Sequence, residues 1–215
     1  MDIKVGKRII LYVVGLWFLA LGVSLSIKAN LGVSPVNSVP FIISEISSIS
    51  MGTCVIIVFS FYMLLQILIL RKEYQLKNLL QIVFSIIFGY FVDFTNFITK
   101  GIVAVSYSVQ LLLLVISIFT IAVGIMMYID ADLVPMPMEG VVIALSKKSK
   151  KFKFSQIKTI CDCIVVLAGI VFSLWGLGRI IGIREGTVLT AIPVGKLIGI
   201  FQGKIKPKVS SFFSA

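Results

Sequence analysis

Two sets of residues recur at a common spacing: Asn30, Pro35 and Asn37, then Asp132, Pro137 and Glu139. Each set closes a long apolar run and opens a short one. Proline suits the first turn of a helix, where its missing N–H costs nothing. Asn and Asp satisfy backbone groups in turns and caps. A half-helix that begins inside a membrane presents unpaired N–H groups and a partial positive charge, which attract anionic parts of a solute. Glu139, in the first turn of its short helix, would complement that dipole, or hold a cation if the loop is buried. The six residues are therefore candidate solute ligands; the competing reading makes both loops ordinary interfacial turns.

Ionisable groups within apolar runs are costly and mark functional positions by default. Asp93, Asp162 and Lys196 are of this kind. Asp162 follows Lys158 by one helical turn, a spacing that permits a local ion pair at the interface. Asp93 and Lys196 occupy corresponding late runs of the two halves, so a pairing across the bundle is open to them. Little else could do chemistry. There is no histidine, which removes the commonest general base and metal ligand at neutral pH. No nucleophile–base set, zinc motif, Walker loop or dinucleotide fingerprint occurs. Cys54, Cys161 and Cys163 lie in apolar runs, the last two spaced to point to different helix faces. Neither a disulfide nor a metal site is favoured, no cofactor is implied, and an enzyme is not expected.

The elements that carry these residues follow from composition. Hydrophobic residues make up 59% of the 215 positions and charged residues 13%, with a mean hydropathy of +1.10. Soluble domains carry about 25% charged residues. The apolar residues fall in blocks, several near the roughly 20 residues that cross a ~30 Å hydrocarbon core. Backbone groups there must pair internally, so helices or closed barrels are the choices, and continuous rather than alternating blocks exclude the barrel. Expected spans are Ile9–Ile27, Met51–Leu70, Asn78–Ile98, Ser108–Ile129, Ile157–Leu177 and Gly186–Phe201. Two short segments, Pro35–Ile46 and Pro137–Leu145, lie among them. The net charge of +11 resides between the blocks, as the positive-inside rule expects, and no nucleic-acid motif accompanies it. Lys4, Lys7 and Arg8 before the first run resemble a signal peptide, but the run lacks a small-x-small cleavage site and reads as a retained helix.

An internal repeat links the two halves. Ala20 to Pro35 matches Ala122 to Pro137 with six identities in sixteen positions, 102 residues apart. Further on, Thr53 pairs with Thr159 and Gly89 with Gly195 at an offset of 106. The expected fold is an all-α transmembrane bundle, one integral domain over 1–215, with repeats near 9–100 and 107–203 and a basic tail, 204–215. It has six full spans plus two re-entrant or half-helices, or alternatively eight crossing segments. With a cytoplasmic N-terminus, six spans place 15 Lys and Arg inside and 4 outside; eight give 13 and 6. Six spans make the repeats inverted, as in many transporters, with both termini cytoplasmic at the cell membrane. Eight make them parallel. Ala191, Gly195 and Gly199 form a small-xxx-small stripe suited to helix packing or to a homo-oligomer. The cluster Lys147, Lys148, Lys150, Lys151, Lys153 and Lys158 sets topology, with anionic lipid as its other reading.

Ala29-Asn30-Leu31-Gly32-Val33-Ser34-Pro35, preceded by Ala20-Leu21-Gly22-Val23, carries a family resemblance. So do Ser48-x-x-Met51-Gly52-Thr53 and Gly186-Thr187-Val188-Leu189. Together they resemble the YczE-type bacterial membrane proteins, which are distantly similar to the YitT type, over residues 9 to 203. The resemblance implies a multi-pass inner-membrane protein and names no substrate. The chain departs from the family pattern at Asn37, where an acidic residue is usual, and at Val134-Pro135-Met136-Pro137, which replaces a glycine-rich loop. Two functions remain. The first is a small-molecule permease with its site at the repeated loops; the second is a non-transporting membrane scaffold or regulator.

Overall fold

The computed structural model describes residues 3–149, 151–152 and 154–188. Among them are α1 (Ile3–Ala29), α2 (Pro35–Ser47), α3 (Met51–Leu70), α4 (Leu80–Ile98), α5 (Tyr107–Asp130), α6 (Pro137–Lys148) and α7 (Phe154–Leu177). Two 3-10 turns, Arg71–Glu73 and Leu76–Leu79, join α3 to α4, and no strand occurs among the described residues. Five helices there are long and apolar enough to cross a membrane: Val5–Ala29, Met51–Glu73, Leu76–Ile98, Tyr107–Asp130 and Gln156–Leu177. The fold is a transmembrane helical bundle. Helices α2 and α6, of 13 and 12 residues, reach only ~20 and ~18 Å at 1.5 Å per residue, too short for a ~30 Å core. Most of the expected last span lies outside the described residues, as do Ala191, Gly195, Lys196, Gly199 and the basic tail.

Local chemistry sets the ends. Ser50 caps α3 by accepting from the Thr53 N–H at 3.3 Å, and Ser106 caps α5 by accepting from the Val109 N–H at 3.4 Å. Such caps satisfy donors that a helix start leaves open. Several boundaries depart from the apolar runs, among them those of α1 and α6. Helix α1 starts at Ile3, ahead of Ile9, because basic residues continue a helix outside the lipid as readily as apolar ones do. Helix α6 runs on to Lys148, where lysines complement the negative end of the helix dipole.

The chain forms two compact units. The first holds α1, α4 from Phe91 onward, α5 and the segment from Arg184. Its centre is the α1–α5 pair. A methyl group at Gly22 would meet the Ile121 nitrogen at 2.8 Å and the Ser117 oxygen at 3.1 Å. One at Gly124 would meet the Leu19 nitrogen at 2.5 Å and the Gly15 oxygen at 2.7 Å. Glycine on both sides lets the backbones approach, as small residues do in membrane helices. Residue numbers rise along α1 as they fall along α5, so the two run antiparallel. Tyr12 and Tyr128 continue this register, with ring centroids 5.7 Å apart. Thr95 of α4 is tied to α1 by its contact with Ser24, Oγ1 to Oγ 2.7 Å.

The second unit holds α2, α3, α4 up to Tyr90, α6 and α7. Each short helix packs on both α3 and α7, α2 mainly on α7 and α6 mainly on α3. Gly169 of α7 faces Ser38 and Ile42, and Gly176 faces Ile46, so α2 and α7 run in the same direction. Gly140 abuts the Gln66 amide and Lys148 pairs with Glu73, so α6 and α3 likewise run parallel. Gly89 of α4 lies against Gly52 and Ile56 of α3, and Phe59 stacks on Phe88 at 5.8 Å.

These directions decide between the two topologies. Eight crossing segments would make α1 and α5 parallel and would separate Glu73 from Lys148 by the whole membrane. The antiparallel α1–α5 pair and the Glu73–Lys148 ion pair exclude both consequences. Short, non-crossing α2 and α6 accommodate them.

Candidate functional site

The two loops that repeat in the sequence end their helices in one way. Asn30 has φ 53° and Asp132 φ 49°, the left-handed conformation that commonly closes a helix and that Asn and Asp tolerate best after glycine. Their N–H groups donate to the carbonyls three residues back, Asn30 to Ile27 and Asp132 to Ile129, each at 3.0 Å. Both residues are exposed. An arginine holds each turn from outside. Arg8 donates from Nε to the Ala131 carbonyl at 2.7 Å and from Nη2 to the Asp132 carbonyl and to Asp132 Oδ2 at 2.9 Å. Arg184 donates from Nη1 to the Asn30 carbonyl at 2.9 Å and pairs with Glu185 at 3.0 Å. The Glu185 carboxyl is held below the usual carboxylate range by its own backbone N–H, with Arg184 adding to the effect. Neither arginine was legible as a partner of these turns, since each lies more than 120 residues away in the chain.

The motifs that carry the family resemblance meet here. The Gly186 N–H donates to the Leu31 carbonyl at 2.7 Å. Gly32 has φ 107°, and a methyl group on it would lie 2.6 Å from Thr187 Oγ1. Both glycines are thus required by close backbone approach. The Ala29–Gly32 turn and the Gly186–Thr187 pair form one packed joint.

In the second unit, Pro35 and Pro137 open α2 and α6 and both are buried. Asn37 is buried and Glu139 is half-buried, while one carboxyl oxygen of Glu139 is shielded from solvent. Ser38 is fully buried and returns its hydroxyl to the Pro35 carbonyl at 2.7 Å. Glu139 stands in the first turn of α6, where a carboxylate complements the helix dipole.

A deeply buried polar cluster was not singled out by sequence. Gln66 of α3 and Gln81 of α4 are each 1% exposed. Gln66 Nε2 donates to Gln81 Oε1 at 2.9 Å and to the Pro137 carbonyl at 2.9 Å. Gln81 Nε2 returns a bond to Gln66 Oε1 at 3.2 Å. Gly140 leaves room for the Gln66 amide, which any side chain there would strike. One turn beyond Gln81, Ser85 is buried, and among the described residues its hydroxyl has no hydrogen-bond partner. Two glutamines in adjoining apolar runs were the available signal, because such groups in a span must find partners inside the protein.

The charged candidates differ in fate. Lys158 Nζ lies 2.6 Å from Asp162 Oδ1, so the i,i+4 pair is formed. Asp93 is half-buried in α4, and its proposed partner Lys196 lies outside the described residues. Cys161 is buried and Cys163 exposed, on different faces of α7.

A bundle of long apolar helices with two short helices and a buried carboxamide pair defines the chain as a multi-pass α-helical membrane protein. It belongs to a family of unknown function, DUF6198, whose model matches residues 6–203. It is similar to the uncharacterized membrane protein YczE of Bacillus subtilis (strain 168), 27% identical over 188 residues, 87% of this chain and 81% of that protein. It is also similar to the uncharacterized protein YyaS of the same organism, 24% identical over 89% of this chain and 90% of that protein. No solved structure matches it.

Proposed function

We propose that the protein is a small-molecule permease built from two inverted halves. The observation that carries this reading is the α1–α5 crossing. Gly22 faces Ser117 and Ile121, while Gly124 faces Gly15 and Leu19. Adding 102 to one set and subtracting it from the other exchanges the two contacts, and the helices run antiparallel. The short helices support the same reading, since each of α2 and α6 lies parallel to the long helix of the other half. Inverted halves with interrupted helices are the architecture by which many secondary transporters carry solute near the membrane midplane.

Within that reading, solute is handled where α6 begins, beside Gln66, Gln81, Ser85 and Glu139, with Asn37 at the equivalent start of α2. Carboxamides and a hydroxyl present both donors and acceptors, which suits a small polar solute. The basic segments Arg71–Lys77 and Lys147–Lys151 face the cytoplasm by the positive-inside rule, so the N-terminus is cytoplasmic too. No catalytic role is assigned.

The test is uptake into proteoliposomes of a panel of radiolabelled amino acids, sugars, organic acids and polyols. The expectation is saturable flux of at least one, abolished by Gln81→Leu in protein that remains folded. Folded wild-type protein without flux across the panel would overturn the permease and favour the scaffold.

A further inference from the structure

We propose that the end of the second unit where α3, α4, α6 and α7 turn is a binding surface for anionic phospholipid headgroups. The Lys148–Glu73 ion pair holds two basic segments side by side. One contributes Arg71, Lys72 and Lys77, the other Lys147, Lys148 and Lys151, and all six are exposed. Glu73 is the one carboxylate in either segment and is engaged by Lys148, so the surface is strongly cationic. Lys158, which the sequence groups with this cluster, is engaged by Asp162 instead.

Charge alone describes any cytoplasmic loop. A further feature points to lipid. Leu76 is 80% exposed, Leu79 and Leu80 are exposed after it in the chain, and Phe152 and Phe154 are exposed just after Lys151. Apolar side chains so placed next to lysines suit the headgroup–acyl boundary, where the cation stays with phosphate and the apolar group enters the chains. A soluble anion would use the cations and leave the leucines unexplained; a phosphodiester lipid uses both.

The surface does not depend on the transport reading, and its test needs no solute. Full-length protein in detergent is titrated with dioleoyl phosphatidylglycerol or dioleoyl phosphatidylcholine, and bound lipid is counted by native mass spectrometry. Phosphatidylglycerol should be retained over phosphatidylcholine. Each cation near an anionic surface contributes roughly fivefold in affinity, so Lys72→Gln/Lys147→Gln/Lys151→Gln should weaken phosphatidylglycerol binding on the order of 100-fold. The charge-matched control Lys28→Gln/Lys100→Gln/Arg179→Gln should retain it. Leu76→Ser should weaken the lipid while leaving competition by inorganic phosphate unchanged. Equal losses in both triple variants, or full displacement of lipid by inorganic phosphate, would overturn the proposal. Thermal unfolding in phosphatidylcholine verifies that each variant is folded.

Discussion

Substituting Gly124 by alanine tests the crossing on which the arrangement of the halves rests. The added methyl group would sit 2.5 Å from the Leu19 nitrogen and 2.7 Å from the Gly15 oxygen. Ordinary contact begins near 3.4 Å, so α1 and α5 must part by about 0.9 Å. Both obstacles are backbone atoms, which no rotamer change can move aside. Overpacking of this kind costs typically ~1–3 kcal/mol. A clash with backbone lies at the upper end of that range, and alanine regains up to ~1 kcal/mol of helix propensity over glycine, which leaves a net loss of about 2 kcal/mol, or roughly a 30-fold shift toward the unfolded state.

The measurement is reversible unfolding of the detergent-solubilised protein, with Gly101→Ala as control because a methyl group there meets nothing within 4 Å among the described residues. Gly22→Ala should behave like Gly124→Ala, since its methyl would meet the Ile121 backbone at 2.8 Å. The double variant should lose less than the sum, because helices already parted by one methyl accommodate the second. If Gly124→Ala unfolds with the control, the close antiparallel crossing is not present, and the inverted arrangement built on it fails.

Three further outcomes follow from named contacts. Asp132→Gly should change thermal stability little, since the ion pair it removes is solvent-exposed, and Asp132→Val should lower it by about 1–2 kcal/mol, because a β-branched apolar residue tolerates the left-handed conformation far less well than Asp or Gly; equal melting temperatures would contradict the φ of 49°. Gln66→Leu should cost about 1–3 kcal/mol by leaving a buried amide and a carbonyl unmatched, and Gln66→Leu/Gln81→Leu should recover part of it; a double variant weaker than the single one would refute the pairing. Reporter tags inserted after Ser50 and after Gly101 should report one membrane face and tags after Lys72 and after Lys151 the other; Gly101 and Lys151 on one face would restore the eight-crossing topology.

Much of the fold could be read from apolar runs, and α3 shows why. Ser50 and Arg71 bracket its run so sharply that lipid boundary and helix boundary coincide at Met51 and Leu70. Where those boundaries differ, hydropathy misleads. It reports where lipid ends, while the backbone hydrogen bonds of α1 extend through Lys4, Lys7 and Arg8. The site was less legible. The Asn30 and Asp132 turns follow from local chemistry and were visible. The Gln66–Gln81–Pro137 contact joins three helices and has no local signature, since each glutamine looks like an isolated polar residue in an apolar run. The Arg8 and Arg184 contacts are invisible for the same reason.

The two arginines also change what the repeated loops can do. Helices that end near lipid must have their last carbonyls satisfied. Arg8 does this at the α5 end, through the carbonyls of Ala131 and Asp132. Arg184 does it at the α1 end, through Asn30. Because α1 and α5 are antiparallel, these clamps sit at opposite ends of the pair. The carbonyls of Asn30 and Asp132 are therefore engaged in closing helices, and Asp132 also spends a carboxylate oxygen on Arg8. The polar groups that the sequence marked most clearly serve first as helix terminators. Under the proposed permease reading, solute recognition would fall to the buried groups of the second unit, where Gln81, bonded to Gln66 beside the opening turn of α6, and Ser85 lie on one face of α4, one turn apart. Substitutions that abolish flux without unfolding should concentrate there, whereas those at Asn30 and Asp132 should act through stability.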